Sequence, residues 1–580
     1  MFKLSRYNFE FTDKDKLNIF LTNTLEFFPK ETEGGVIGLF ERVLAEEQEK
    51  ALEVKKQTPI LVIIGNPPYS VSSQNKVEPK TEFGKFYESY KEKVRKEERN
   101  IQPLSDDYIK FLAFAHWKIR QIGKGIVGMI TNNSYLDGLI HRDMRQKLLD
   151  DFDLIYILNL HGDAKRPKIT KDGKKDENVF DIKQGVAIAI FVKPEKQIAK
   201  QIFYQELIGL REEKYKFLDT HDVSNVQWIK LEPKESYWFF VPKEFEEEEK
   251  YKIFVSIKGI FRKTKTGAKS HRDKLLISSD KEGLRRRLLR FIDKSYPEEL
   301  VIQEFDLKNT GTWDIKTARE KIKNIEDDKF LPYSYRLFDN RWTYLDEAIF
   351  EVPRLEINSH LISKDNIALL TTKQIITPTF QHVFVSDKFT DICLISLNTK
   401  ESTYIFPLWL YESEGIPQNR LSFSTQPEPK ISNIKKEIVD LLSSSYKNPV
   451  SPEEIFYYIY AILYSNIYRQ KYLEFLKIDF PRIPFTNDYK LFKKLSEIGK
   501  QLVELHLLKS DLLNTPSSRF EGNNSGLSLV KKVNYNAKEK RVYINDNQYF
   551  TNVEPEIWNY FIGGYQVLNK WLKKIEKENI

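Results

Sequence analysis

A chain of 580 residues and 68.7 kDa has room for roughly three or four folding units with real hydrophobic cores, which excludes peptide hormones and single-module binders. Apolar residues make up 41% and charged residues 30%, a globular balance that excludes wholesale disorder. The net charge of +8 (92 Lys and Arg against 84 Asp and Glu) is mild for this length. The single cysteine, Cys393, excludes an internal disulfide and a thiolate metal cluster, so no metal site is expected and a reducing, cytoplasmic setting fits.

The apolar runs, such as Val186 to Val192, are too short to span a bilayer, and Asp13 to Lys16 interrupts any signal-peptide reading; no membrane partner is expected. In chain order the runs are LNIFLT (17–22), PILVIIG (59–65), GIVGMIT (125–131), DLIYILNL (153–160) and GVAIAIFV (185–192), with helical patterns between them at 39–56 and 108–122. Near-continuous apolar strands alternating with helices predict an α/β unit whose largely parallel sheet is buried on both faces. A polar, basic excursion at 162–178 joins the last two runs.

From about Glu195 to Pro429 short aromatic-rich strand candidates predict an α+β unit, and helices are expected to dominate after a polar linker at 424–430. Ser451, Pro452 and Glu454 read as an N-cap, a first-turn proline and a capping-box partner, opening a helix through about Phe475. Leu491, Leu495, Ile498, Leu502 and Leu505 share one helical face, expected to pack on another helix of the chain. Between Lys258 and Arg290 lie twelve Lys and Arg against three acidic residues. Such an excess suits phosphate neutralisation, though a solvated face is an equal alternative.

The sharpest motif is Asn66-Pro67-Pro68-Tyr69, directly after the run at 59–65. A chance match of that form is expected in only about 1% of chains this long. The carboxyl end of a parallel strand is where α/β sheets place their chemistry. Each proline fixes φ and removes an N–H, so the loop is stiff and Pro68 offers no amide to the Pro67 carbonyl. The Asn66 side-chain oxygen and the Pro67 carbonyl are then placed to accept both hydrogens of an exocyclic amino group, while Tyr69 offers a flat face for a base. A sulfonium methyl donor needs no strong base, so positioning is the main task.

Here the sequence resembles the S-adenosylmethionine-dependent amino-methyltransferases that act on adenine in DNA. The segments DDYIKFLAFAHWKI (106–119), GIVGMITNNSYLDG (125–138), RDMRQKLL (142–149) and ENVFDIKQGVAIAIFVK (177–193) follow in that family's order. The resemblance implies that Phe180 stacks on a flipped-out adenine and that Tyr108 and Phe111 line the cofactor pocket. Segments 259–274, 331–346 and 484–508 look like the carboxyl-terminal part of single-polypeptide, type ISP-like restriction-modification enzymes. The implied division is 1–195 as the carboxyl-terminal portion of the catalytic domain, 196–430 as target recognition, and 431–580 as a helical region completing DNA recognition. Arg262, Lys263, Lys265, Arg272 and Lys274 are the candidate DNA contacts.

The family's glycine-rich donor loop is not found. EGGVIG (33–38) does not follow a buried strand. In the family's strand order, 3-2-1-4-5-7-6, the chain is expected to keep strand 3 and the set 4-5-7-6, leaving the catalytic strand with an open edge. The expected partners are double-stranded DNA and an upstream polypeptide supplying the donor loop together with nuclease and translocase. The alternatives are a recognition module without activity, favoured by the missing loop, and a methyltransferase acting on protein glutamine or RNA.

Overall fold

The computed structural model describes residues 49–578 apart from 56–57, 70–74, 99, 165–167, 169, 171, 244–246, 399–400, 412–428 and 523–528, together with Phe20 and 23–25. The segments 17–22 (Phe20 apart) and 33–38 lie outside the described residues, as does most of the linker at 424–430. The chain divides into two compact units, Met1–Lys243 and Glu244–Ile580.

The first unit is built on a six-stranded sheet. Its elements are β1 (Val62–Gly65), α1 (Glu82–Ser89), α2 (Asp107–Ile122), β2 (Gly125–Asn132), α3 (Arg142–Asp151), β3 (Leu154–His161), β4 (Val186–Lys193), β5 (Gln201–Glu206), α4 (Arg211–Thr220) and β6 (Ile229–Leu231). The sheet order is β1-β2-β4-β3-β5-β6. β1 and β2 are parallel, β4 runs antiparallel to both β2 and β3, β5 is parallel to β3 and β6 antiparallel to β5, so the sheet is mixed where the apolar runs predict a largely parallel one. The first four strands therefore stand in the contiguous order expected from the sequence. Helix α2 ends where Gly123 turns left-handed at φ 83°, a conformation glycine adopts without a Cβ penalty.

One sheet face carries Val127, Met129, Ile155, Ile157, Ala187 and Ala189, which form a single core with α2 residues such as Leu112 and Ile119 and with Leu148 of α3. The other face is different at its β1 end. Register pairs Val62 with Ile126 and Ile64 with Gly128, so these residues share a face, and Val62, Ile64 and Ile126 are 54%, 84% and 39% exposed. Among the described residues β1 pairs with β2 alone.

The first unit extends past the sequence boundary at 195 because β5 pairs with β3 along its whole length, from Leu154↔Gln201 to Asn159↔Glu206. In the second unit, two four-stranded sheets carry the middle of the chain. One contains β7 (Phe330–Arg336) and β8 (Asp339–Tyr344), and the other β9 (Ala368–Thr371), β10 (Val383–Ser386) and β11 (Tyr404–Pro407). No boundary falls at 430, because Leu369 and Phe406 share one core with Tyr458 and Phe492 of α5 (Pro452–Tyr464) and α6 (Tyr489–His506).

The Ser451 capping box opens α5 as the sequence predicts, but the helix stops at Tyr464, where Ser465 caps a new one at Asn466–Lys471. On α6 the buried face is Phe492, Ser496, Gly499 and Val503, while Leu491 and Ile498 are exposed. Gly499 explains the offset: a Cβ there would lie 1.9 Å from the Tyr457 carbonyl oxygen, so α6 meets α5 backbone-close on that face. Beyond α6 a small four-stranded sheet is formed by Phe520–Gly522, Asn534–Asn536, Arg541–Tyr543 and Gln548–Phe550, so the last region is not wholly helical. No described helix is long and apolar enough to cross a membrane.

Candidate active site

At the end of β1 the chain leaves the sheet through Asn66, Pro67, Pro68 and Tyr69. Asn66 and Pro68 are exposed, Pro67 is buried and Tyr69 is half-buried. The Tyr69 hydroxyl donates to Asn66 Oδ1 at 3.3 Å. An amide oxygen has two lone pairs, so this bond orients the Asn66 side chain and leaves one acceptor position open. The Tyr69 ring stands edge-on to Tyr108, with centroids 6.3 Å apart and planes at 89°. Burial, and then the Asp106 carboxylate, push the Tyr69 phenol up to about 12, so it stays a donor throughout the neutral range.

Ring and hydroxyl separate cleanly by mutation. Tyr69→Phe removes one hydrogen bond of about 0.5–1.5 kcal/mol. Tyr69→Ala removes the flat face as well, about 1–3 kcal/mol of stacking, and is expected to weaken binding of a purine base at this loop more than the phenylalanine variant does. Titration calorimetry on the two variants checks the order.

Phe180 lies in the segment leading into β4. Because β4 is antiparallel to β2, with Asn132 opposite Val186, this segment emerges at the same end of the sheet as the Asn66 loop. Only β2 stands between β1 and β4, which corresponds to about 10 Å across two strand spacings. Phe180 is half-buried against a small cluster containing Leu158, Leu160, Val179 and Val186. Its amide donates to Asn178 Oδ1 at 2.9 Å.

The same sheet end holds a polar chain that the sequence does not disclose. The Asn133 amide donates to the Gly185 carbonyl at 2.9 Å. Asn133 Nδ2 donates to Asn159 Oδ1 at 3.0 Å, Asn159 Nδ2 reaches the Tyr204 hydroxyl at 3.2 Å, and that hydroxyl donates to Glu206 at 3.2 Å. Glu206 also pairs with His161 at 2.7 Å and Lys168 at 3.0 Å. The His161 hydrogen bond is foremost in holding its carboxyl down at about 2. The links from Asn133 to Asn159 and from β3 to β5 join residues 26 and 45 positions apart, so no local spacing betrays the chain.

Tyr108 and Phe111, the two candidate cofactor residues, both sit on α2. Tyr108 is only 1% exposed and its hydroxyl has no hydrogen-bond partner among the described residues, while Phe111 is half-buried against the main core. A buried, unsatisfied hydroxyl beside Tyr69 suits one wall of a ligand site. Among the described residues of the first unit, no strand is followed by a glycine-rich turn. The described residues of the first unit thus offer one wall of a ligand site and no glycine-rich cradle.

The candidate DNA contacts divide in two. Arg262, Lys263 and Lys265 are exposed, and Lys274 is exposed with an ion pair to Asp306 at 3.5 Å. Arg272 differs from the sequence expectation. It is 5% exposed, donates to the Ile349 carbonyl at 2.9 Å and Glu351 at 3.3 Å, and lies 3.8 Å over the Trp313 ring. A guanidinium committed to those partners is a structural group and offers nothing to a phosphate. Of the run Arg285-Arg286-Arg287, Arg285 pairs with Asp327 and Arg287 donates to the Lys274 and Ile277 carbonyls, leaving Arg286 as the exposed member.

Residues 259–580 match the family model of the Type ISP C-terminal specificity domain, and residues 11–165 match that of the Eco57I restriction-modification methylase. Among solved structures, the chain is similar to the ATP-dependent Type ISP restriction-modification enzyme LlaBIII bound to DNA, at 24% identity and a TM-score of 0.72, covering 96% of this chain and 36% of that one. A nuclease-deletion mutant of the Type ISP enzyme LlaGI in complex with a DNA substrate mimic gives 21%, 0.70, 96% and 43%. The DrdV–DNA complex gives 22%, 0.69, 92% and 54%. The chain thus spans about a third to a half of the length of these structures, and the likeness to them shows the fold. No curated protein sequence matches it significantly. With more than half of its length matched, the chain belongs to the Type ISP C-terminal specificity domain family, and it carries ahead of that domain a methylase segment of the Eco57I restriction-modification type.

Proposed function

We propose that the chain supplies the base-holding and site-reading parts of an adenine-specific DNA methyltransferase, with S-adenosylmethionine as methyl donor, in a restriction-modification system of the cytoplasm. The observation that carries this reading is the exposed Asn66–Tyr69 loop at the carboxyl end of β1, with an acceptor position open on Asn66 and the Tyr69 ring held against Tyr108. An adenine taken out of the duplex would stack on Tyr69 and Phe180. Asn66 Oδ1 and the Pro67 carbonyl would accept its two amino hydrogens. Positive charge grows on that nitrogen as it is alkylated, so both bonds strengthen toward the transition state. S-adenosylmethionine, when bound, supplies an electrophilic sulfonium methyl. DNA contact by the second unit is part of the same proposal. Alanine at Arg262, Lys263 or Lys265 should each lower the slope of log K against log salt by about 1, and alanine at Arg272 should lower stability instead.

The donor cradle is assigned to an upstream polypeptide whose strand pairs in parallel with β1, alongside the nuclease and translocase. Its support is that, among the described residues, β1 pairs with β2 alone, and that on the sheet face carrying them Val62 and Ile64 are 54% and 84% exposed; inner parallel strands are otherwise paired on both edges and covered on both faces. Calorimetry on the chain with and without the polypeptide encoded upstream tests this. The chain alone should fail to bind S-adenosylmethionine, the pair should bind it, and Ile64→Lys should abolish pairing. Micromolar donor binding by the chain alone would sink the split-site part. The absence of a glycine-rich donor turn among the described residues favours a second reading, a specificity module without activity. Donor binding without methyl transfer by the pair would select it.

A further inference from the structure

The segment carrying Phe180 is held by one face of α4, a helix from the stretch that the sequence assigns to target recognition. Four successive carbonyls of the segment each accept a hydrogen bond from a side chain of α4. The Glu177 carbonyl accepts from Lys214 at 2.6 Å, Asn178 from Arg211 at 2.7 Å, Val179 from the Tyr215 hydroxyl at 2.5 Å, and Phe180 from Arg211 at 3.2 Å. Arg211, Lys214 and Tyr215 are spaced i, i+3 and i+4, so they project from one side of the helix. Arg211 also pairs with Asp181 at 2.8 Å, and its amide donates to Glu177 Oε2 at 2.9 Å. Below them the Lys214 ammonium lies 2.7 Å from Asp176, both side chains 2% exposed. Asp176 in turn accepts from the Gly162 and Gly209 amides.

A loop held at every carbonyl from 177 to 180 cannot relax when its aromatic side chain is approached by a ligand. We propose that Arg211, Lys214 and Tyr215 are positioning residues that pre-set the Phe180 ring to receive a nucleobase, so that no ordering cost falls on base capture. This rests on the reading of Phe180 as a base-stacking residue. Arg211 is the centre of the device, because its planar fork reaches two carbonyls and a carboxylate together. A lysine ammonium there is a point charge and cannot span them.

Two measurements on the full chain test this. Hydrogen–deuterium exchange should show the amides of 178–182 exchanging at least about tenfold faster in Arg211→Ala, and by a smaller factor in Tyr215→Phe, with α2 and β2 unchanged. Unchanged protection at 178–182 in both variants would overturn the clamp. Methyl transfer by the chain paired with its upstream polypeptide then tests the purpose. Arg211→Ala should lower kcat by about tenfold to a hundredfold with little change in KM for DNA, and Arg211→Lys should recover only part of it. In a Phe180→Ala background Arg211→Ala should have no further effect, because it acts through that ring. Additive losses would overturn the positioning role. If Phe180→Ala alone leaves kcat intact, the stacking reading of Phe180 fails, and the exchange result separates that failure from failure of the clamp.

Discussion

Asn66→Ala is expected to lower methyl transfer by about a hundredfold or more while leaving DNA affinity close to that of the unchanged chain. The size follows from what is lost: an acceptor whose bond strengthens as charge develops on the nitrogen, a contribution comparable to removing one preorganised transition-state hydrogen bond, about 2.7–4 kcal/mol. DNA affinity is insulated because it is dominated by phosphate contacts, which Asn66 does not supply. Stability is insulated as well, since Asn66 is exposed and, among the described residues, its side chain bonds only within its own loop, to Tyr69. Asn66→Asp keeps an oxygen acceptor in place and should retain far more activity than the alanine variant. Single-turnover rates with saturating DNA, beside filter-binding affinities, check both parts. A retained rate in Asn66→Ala would remove this residue from the chemistry.

The second large effect is on stability. Lys214→Met should destabilise the first unit by about 3–5 kcal/mol, the usual cost of breaking a buried ion pair from one side. Lys214 and Asp176 are each 2% exposed at 2.7 Å, and the lysine also donates to the Leu160 carbonyl at 2.7 Å. Without the ammonium, the Asp176 carboxylate is left in a poorly solvated place with, among the described residues, only the Gly162 and Gly209 amides as donors. Lys214→Met combined with Asp176→Asn should recover part of the loss, since the orphaned charge is then gone. Urea unfolding of the three variants measures this, and a loss below about 1 kcal/mol for Lys214→Met would show that water or a rearranged side chain replaces the ion pair.

The strands that frame the loop are legible because inner strands of a sheet packed against helices demand long apolar runs, and 125–131, 153–160 and 185–192 are such runs; the antiparallel direction of 186–193 is not in the pattern. Their neighbours are hidden for physical reasons. Gln201–Glu206 is shorter and its ends are polar, so nothing local distinguishes it from the strands of a following domain; its partner β3 alone places it in this sheet. In the second unit, Lys265–Thr266 is fixed by pairing with Tyr404 and Ile405, a contact across more of the chain than any periodicity reaches. Arg272 reads as a DNA contact in the sequence because charge density ignores burial. The stack on Trp313 that buries it joins residues 41 positions apart. On α6 the leucine pattern marks only one flank of the buried face: Leu495 and Leu502 pack against the core while Leu491 and Ile498 are exposed, since the residue that sets the helix contact is a glycine, which hydrophobicity does not count. The Asn66–Tyr69 motif is visible because its chemistry is contiguous. The hydrogen bonds that hold Phe180 are not, because they come from a helix more than thirty residues later.

The most direct test of the central claim is the identity of the methylated product. Unmethylated duplex DNA, RNA and a glutamine-containing protein extract are incubated with isotopically labelled S-adenosylmethionine and the chain paired with its upstream polypeptide, then digested and analysed by mass spectrometry. The account predicts label on the N6 nitrogen of adenine from the duplex, lost in Asn66→Ala. Label on cytosine, on RNA or on glutamine, or none with the donor bound, would contradict it.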